Sequence, residues 1–284
     1  MCRHFGWIGQ ARTLHELFFE AGYGLPRQAR IPRWQRVGLV NRDGFGVGWF
    51  RAGGAGNTER YRTTIPIWDD GVFPTLAREV ASSCVLGAVR AASPGMPIET
   101  NANAPFTNGR CMLSLNGHLN VDKVRPLLGS GGEPESSCDA ALLAALLWQR
   151  LNAGLNLPEA LVSLLRDVVE LDPRACLNML ATDGARVVAT AWGETLCYRK
   201  ESAGVLIASE PHDDENGWIG VEDKTAVIAD AWDIELHSIP QDGPFSAEVN
   251  PAIAPRGMSA EIATNVRSPN ERKSIPAELQ AAQF

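Results

Sequence analysis

Cys2, Arg90, the Asn116–Gly117 pair and Asp139 are the residues of this 284-residue chain whose types suit acyl transfer from an amino-acid amide. Cys2 stands directly behind Met1. If Met1 is removed, the thiol and a free α-amine share one residue. The reference pKa values are about 8.5 for the thiol and about 7.7–8.0 for the amine, so nucleophile and neutral-pH base would lie a few bonds apart. An amide carbonyl under attack develops an oxyanion. Asn116 can offer it a side-chain N–H, and Gly117 a backbone N–H that no Cβ crowds. A substrate with an amino-acid head also needs a cation for its carboxylate and an anion for its ammonium. Arg90 suits the first through bidentate pairing, and Asp139 suits the second.

Each of these residues has an ordinary reading when taken alone. A cysteine at a strand start is commonly a small buried residue, and Asn-Gly is commonly a turn. Arg90 at a strand end reads as a surface charge, and Asp139 as a plain helix cap. His4 and His118 flank the candidate machinery and read as packing or supporting residues rather than catalysts. Cys2 and His4 form a Cys-x-His pair, but no further ligands follow at recognisable spacing, so no metal is expected.

The elements that must position these residues follow from local pattern. Residues 2 to 9 read as a short buried strand, followed by a helix around Leu14 to Glu20. The stretch from Gly24 to Phe50 is loop-rich, with Arg27, Arg30, Arg33 and Arg36, and ends in "GVGWF", whose glycines allow close backbone approach. "FPTLAREVA" reads as a short helix, "CVLGAVRAAS" as an apolar strand ending in Arg90, and "RCMLSLNGHL" as a strand running into a turn. Helical periodicity begins at Asp139 behind the capping residues Ser136 and Ser137, and a second helix spans roughly Pro158 to Glu170. Strands with turn signals at Asp183-Gly184 and Gly193 come next. Strands, helices and strands in that order predict antiparallel sheets with helices on their outer faces, an α+β fold. The organised domain is expected over 1–240, and residues 241–284, rich in Pro, Ser, Asn, Glu and Ala, read as an irregular tail.

Composition narrows the setting. A net charge of -7 and the lack of a basic patch argue against nucleic acid as a partner. No stretch approaches the roughly 18 apolar residues of a membrane span, and no apolar leader precedes Cys2, so a cytoplasmic protein is expected. The six cysteines are scattered without a CxxC pair, as in a reducing compartment. Oligomeric state is left open by the sequence.

Taken together, Cys2, "DGFGVGW", "VRAAS", "NAPF", "LNGH" and "CDAALL" occur in an order and spacing that resembles the class II glutamine amidotransferase family of N-terminal-nucleophile hydrolases, over roughly residues 2 to 240. "PRWQRVGLVNRDGFGVGWF", "AVRAASPGMPIE", "SSCDAALLAALL" and "ASEPHDDENGW" look most like its ergothioneine-pathway amidohydrolase branch, which releases glutamate from γ-glutamyl hercynylcysteine sulfoxide. The resemblance implies a four-layer αββα sandwich of two antiparallel sheets and removal of Met1. It implies Cys2 as nucleophile, its amine as base, and Asn116 with Gly117 as oxyanion hole. Arg90 would bind the γ-glutamyl carboxylate and Asp139 its ammonium. No cofactor is implied, and the partner is a small-molecule γ-glutamyl amide.

One position departs from the family pattern. Glutamine-using members tend to carry an acidic residue two places after the helix-start aspartate, where this chain has Ala141. That favours an amidohydrolase over an ammonia donor, although a glutaminase feeding a separate synthase, or a hydrolase for another γ-glutamyl-protected intermediate, uses the same machinery. A trimethylammonium group on the leaving amine would favour aromatic faces and carboxylates, for which Trp34, Trp68, Asp69 and Asp70 are candidates.

Overall fold

Two stacked antiparallel sheets, built on a period-2 alternation of inward and outward side chains, organise the computed structural model, which describes residues 2–35, 40–51, 57–129 and 132–240. Met1, Arg36 and the segment 241–284 lie outside the described residues. In chain order the elements begin with β1 (Arg3–Thr13), a π-helical turn (Glu16–Glu20), α1 (Leu25–Gln28), β2 (Phe45–Phe50) and β3 (Thr58–Thr63). They continue with α2 (Phe73–Glu79), β4 (Ala81–Val89), β5 (Phe106–Thr107), β6 (Met112–His118) and α3 (Val121–Val124). Helices α4 (Asp139–Asn152) and α5 (Leu157–Leu171) precede β7 (Cys176–Thr182), β8 (Val187–Ala191), β9 (Cys197–Glu201) and β10 (Gly204–Ala208). The order closes with β11 (Ile219–Gly220), β12 (Thr225–Ala229) and β13 (Ile234–Ser238).

One sheet runs β11-β9-β10-β1-β4-β2-β3 and the other β13-β12-β8-β7-β6-β5. The alternation along each strand sorts side chains into three apolar layers. On β1 and β4, Phe5, Trp7, Val85 and Val89 pack outward with Phe18 of the π-helical turn and Phe73 of α2. Ile8, Cys84 and Leu86 point the other way and meet Met112, Leu180 and Val187 of the second sheet. The outer face of that second sheet, with Leu113, Leu115, Leu177 and Met179, is covered by α4 and α5. Helix, sheet, sheet, helix is thus the order of the layers, as the family resemblance implies.

Local chemistry explains most element boundaries. Helix α5 starts in a capping box, where the Asn156 side chain accepts from Glu159 N and Glu159 reaches back to the Asn156 backbone, with Pro158 in the first turn. The β7–β8 turn carries Gly184 at φ +85°, a conformation suited to glycine. In β2 a Cβ added at Gly46 would lie 2.2 Å from the Ala104 carbonyl oxygen, which is the close backbone approach that "GVGW" predicts. The first strand outruns the expected residues 2 to 9, reaching Thr13 across a register shift between Ile8 and Arg12. Strand β3 and helix α1 were not foreseen. The sequence TERYRT is an edge strand of half-buried residues with no apolar alternation to betray it. Among the described residues, no helix is long and apolar enough to cross a membrane.

Candidate active site

Antiparallel pairing sets the first two site residues side by side. Arg3 pairs with Val89, so the next residues in step are Cys2 ahead of β1 and Arg90 beyond β4. Arg90 is held by its backbone, donating to the Gly44 carbonyl at 2.9 Å and accepting from Asp43 N at 3.0 Å. It is only 8% exposed, and its Nη1 donates to the Pro97 carbonyl at 2.8 Å. Among the described residues it has no carboxylate within ion-pair distance. A buried guanidinium on the wall of a cleft has the chemistry to pair with a carboxylate through two hydrogen bonds.

The second sheet supplies the next residues. Gly117 on β6 pairs with Leu177 of β7, and a Cβ added to it would sit 1.9 Å from the carbonyl oxygen of the preceding Cys176. Only glycine fits there without moving the strands. Asp139 opens α4, its Oδ1 accepting from Ala140 N at 2.8 Å. The N-cap is Cys138, with no side-chain cap, rather than the serines expected from sequence. Ser136 Oγ instead accepts from Cys138 N at 3.4 Å and donates to Glu99 at 2.7 Å, tying the helix start to the loop after Arg90.

Cys2, Arg90, Gly117 and Asp139 all line one cleft, together with Met96, Asn103 and Cys138. Asn116 does not line it. The residue is fully buried beside Gly117, and its Nδ2 points toward Ser209 Oγ at 3.5 Å. The four residues considered for a quaternary ammonium are also away from the cleft walls. Asp70 is engaged as an acceptor from Tyr61 and from Val72 N and Phe73 N, so it caps α2. Trp34 and Trp68 pack against the outer apolar layer of the first sheet, and Asp69 is exposed. Ala141 is buried in the layer under α4. Met96 and Cys138 escaped the sequence reading, because an apolar side chain gives no sign that it borders a cleft.

Burial controls the electrostatics. It pushes the Cys2 thiol up from its ordinary value, against the opposing effects of an Ala91 backbone hydrogen bond and the Arg90 charge. Burial thus disfavours the thiolate at Cys2. His4 offers little as a base beside it. Burial, helped by the Arg3 charge, brings its imidazole down to about 3, and its Nδ1 is committed to Ser114 Oγ at 3.1 Å. Burial also pushes the Asp139 carboxyl up, opposed by hydrogen bonds from Ala140 and Leu119 N–H and by the Arg90 charge. An ammonium placed beside that carboxyl would favour its charged form.

Two curated relatives share this chain's sequence over most of its length. It is 44% identical over 228 residues to the gamma-glutamyl-hercynylcysteine sulfoxide hydrolase of Mycolicibacterium smegmatis, covering 80% of this chain and 95% of that protein. Identity to the protein of the same name from Mycobacterium tuberculosis is 41% over 227 residues, covering 80% and 92%. The chain belongs to the gamma-glutamyl-hercynylcysteine sulfoxide hydrolase family. No general family model matches it. Two solved structures show how widely the hydrolase family's fold is shared. A glutamine aminotransferase class-II domain protein from Silicibacter pomeroyi superposes with a TM-score of 0.58 at 18% identity, over 84% of this chain and 99% of that one. The glutamine phosphoribosylpyrophosphate amidotransferase of B. subtilis gives 0.62 at 15% identity, over 85% of this chain and 50% of that one.

Proposed function

We propose that this chain hydrolyses the γ-glutamyl amide of γ-glutamyl hercynylcysteine sulfoxide, with Cys2 as the nucleophile. The observation that carries the reading is the convergence of Cys2, Arg90, Gly117 and Asp139 on one cleft from four separate parts of the chain. The relatives' shared name supports the substrate.

The buried Arg90 receives the α-carboxylate of the glutamyl group and Asp139 its ammonium, which aims the γ-carbonyl at Cys2. After loss of Met1, the α-amine of Cys2 takes the thiol proton as sulfur attacks. The oxyanion is held by Gly117 N–H and the Asn116 amide. The amine then returns the proton to the leaving nitrogen, the C–N bond breaks, and a γ-glutamyl thioester remains. Water, deprotonated by the same amine, attacks the thioester and releases glutamate and the thiol. These steps call on no cofactor. A cytoplasmic setting suits a thiol nucleophile, since thiols stay reduced there.

The test follows glutamate release from γ-glutamyl hercynylcysteine sulfoxide and from glutamine, with intact mass recorded on the same samples. The expected result is a chain lacking Met1 that turns over the sulfoxide far faster than glutamine. Faster turnover of glutamine would make the protein a glutaminase. A retained Met1 on an active chain would remove the amine from the mechanism.

A further inference from the structure

Between the sheets, next to the cleft, lies a group of polar side chains that the reaction as written leaves without a task. Ser209 stands where the ladder between β1 and β10 stops at the Phe5–Ala208 pair. Its N–H donates to the His4 carbonyl at 3.0 Å. A continued ladder would have the Ser209 carbonyl accept the His4 N–H in return. That carbonyl instead accepts from Thr195 Oγ1 at 2.8 Å, and the Ser209 hydroxyl takes the His4 N–H at 3.1 Å. The hydroxyl oxygen is thus pinned to β1, the strand that follows Cys2.

The same oxygen faces Asn116 Nδ2 at 3.5 Å, while Asn116 Oδ1 is buried without a partner. Ser209 Oγ therefore meets two N–H groups, and its own proton has no acceptor among the described residues. Turning the carboxamide over about its Cβ–Cγ bond resolves both defects at once. Oδ1 then stands in the place of Nδ2, where the separation from Ser209 Oγ is 3.5 Å, as an acceptor facing the Ser209 proton, and Nδ2 is turned away from Ser209. The two orientations have opposite consequences for catalysis, because an N–H stabilises an oxyanion and a carbonyl oxygen repels it.

We propose that Ser209 is a positioning residue that holds the Asn116 carboxamide with Oδ1 toward its own hydroxyl, so that Nδ2 is the end presented to the oxyanion formed at Cys2. The proposal rests on the reaction given above. Ser209 touches no reacting atom, and its effect passes through Asn116 alone.

A double-mutant cycle tests this. Ser209→Ala should lower kcat about tenfold or more, up to the 10²–10³-fold typical of losing the oxyanion donor outright, while KM moves less than twofold. Ser209→Thr, which keeps the hydroxyl, should recover most of the rate. In an Asn116→Ala background, Ser209→Ala should change nothing. An equal loss of rate in both backgrounds, or a loss confined to KM, overturns the proposal. A neutron structure of the unmodified protein reads the orientation without any assay. Asn116 deuterons turned away from Ser209, with the Ser209 deuteron on Oδ1, support it, and amide deuterons aimed at Ser209 overturn it. That map decides the matter even if Ser209→Ala fails to fold. If the protein leaves γ-glutamyl amides untouched, the map still reads the Ser209–Asn116 orientation, while the proposed reaction and the catalytic part of this proposal fall together.

Discussion

The layer between the two sheets has one apolar end and one polar end, although the same strands build both. Inward positions along β1 run from Ile8 through Gly6 to His4, with Cys2 next in step. Along β10 they run from Val205 and Ile207 to Ser209, and along β6 from Met112 to Ser114 and Asn116. At the apolar end the polar atoms present are matched. Thr182 Oγ1 donates to the Arg186 carbonyl at 2.6 Å and lies 3.0 Å from Cys84 Sγ. At the polar end, His4 Nε2 and Asn116 Oδ1 are buried without hydrogen-bond partners among the described residues. Folding stability favours matched groups, and the unmatched ones of this layer lie at the end beside the cleft.

The contrast can be broken or sharpened by substitution. Cys2→Ala should abolish turnover, by a thousandfold or more, as typically follows loss of a covalent nucleophile, and leave the unfolding midpoint almost unmoved. Retained hydrolysis would dissociate the cleft from the reaction. Leu86→Ala, at the apolar end, should cost about 2–5 kcal/mol of stability, because Leu86 is fully buried and its removal opens a cavity. Its kcat and KM at a temperature where it is still folded should match the parent. A drop in kcat there would show that the two ends are coupled. Asp139→Asn should raise KM by about 10- to 100-fold, the equivalent of one charged hydrogen bond to the substrate ammonium, with a smaller effect on kcat. An unchanged KM would move the ammonium site elsewhere.

The smallest effect concerns pH. His4 has a folded pKa of about 3 against an unfolded value near 6.5, so between those limits the unfolded chain binds the extra proton. Stability is therefore fully present above about pH 6.5 and declines as pH falls toward 3, by up to about 1.4 kcal/mol per pH unit. His212, brought down to about 4 by burial, adds to the decline in the same direction. Urea midpoints measured from pH 7 to 4 should show a shallower pH dependence in His4→Gln than in the parent. Equal slopes would mean that His4 is protonated inside the fold.

Legibility in the sequence followed the range of the forces involved. The Asp183-Gly184 turn, the start of α4 at Asp139 and the glycines of β2 could be read because each depends on residues a few places away. Strand β3 could not, since an edge strand of half-buried polar residues has no alternating pattern. Asp69, Asp70, Trp34 and Trp68 had suitable chemistry for binding a cation, but residue type says nothing about which cleft a side chain borders. Asp70 is occupied by α2, and the tryptophans by the outer apolar layer.

By itself the sequence determined the chemical kinds available: a thiol next to the first residue, a guanidinium ending an apolar strand, an Asn-Gly pair and a carboxylate at a helix start. It also determined the periodicities that make two sheets and their covering helices, because those depend on spacing along the chain. Only the tertiary structure decided that positions 2, 90, 117 and 139 share one cleft, that Arg90 is buried on its wall, and that Asn116 faces Ser209. Those outcomes depend on strand order and desolvation, which arise from contacts between residues far apart in the chain.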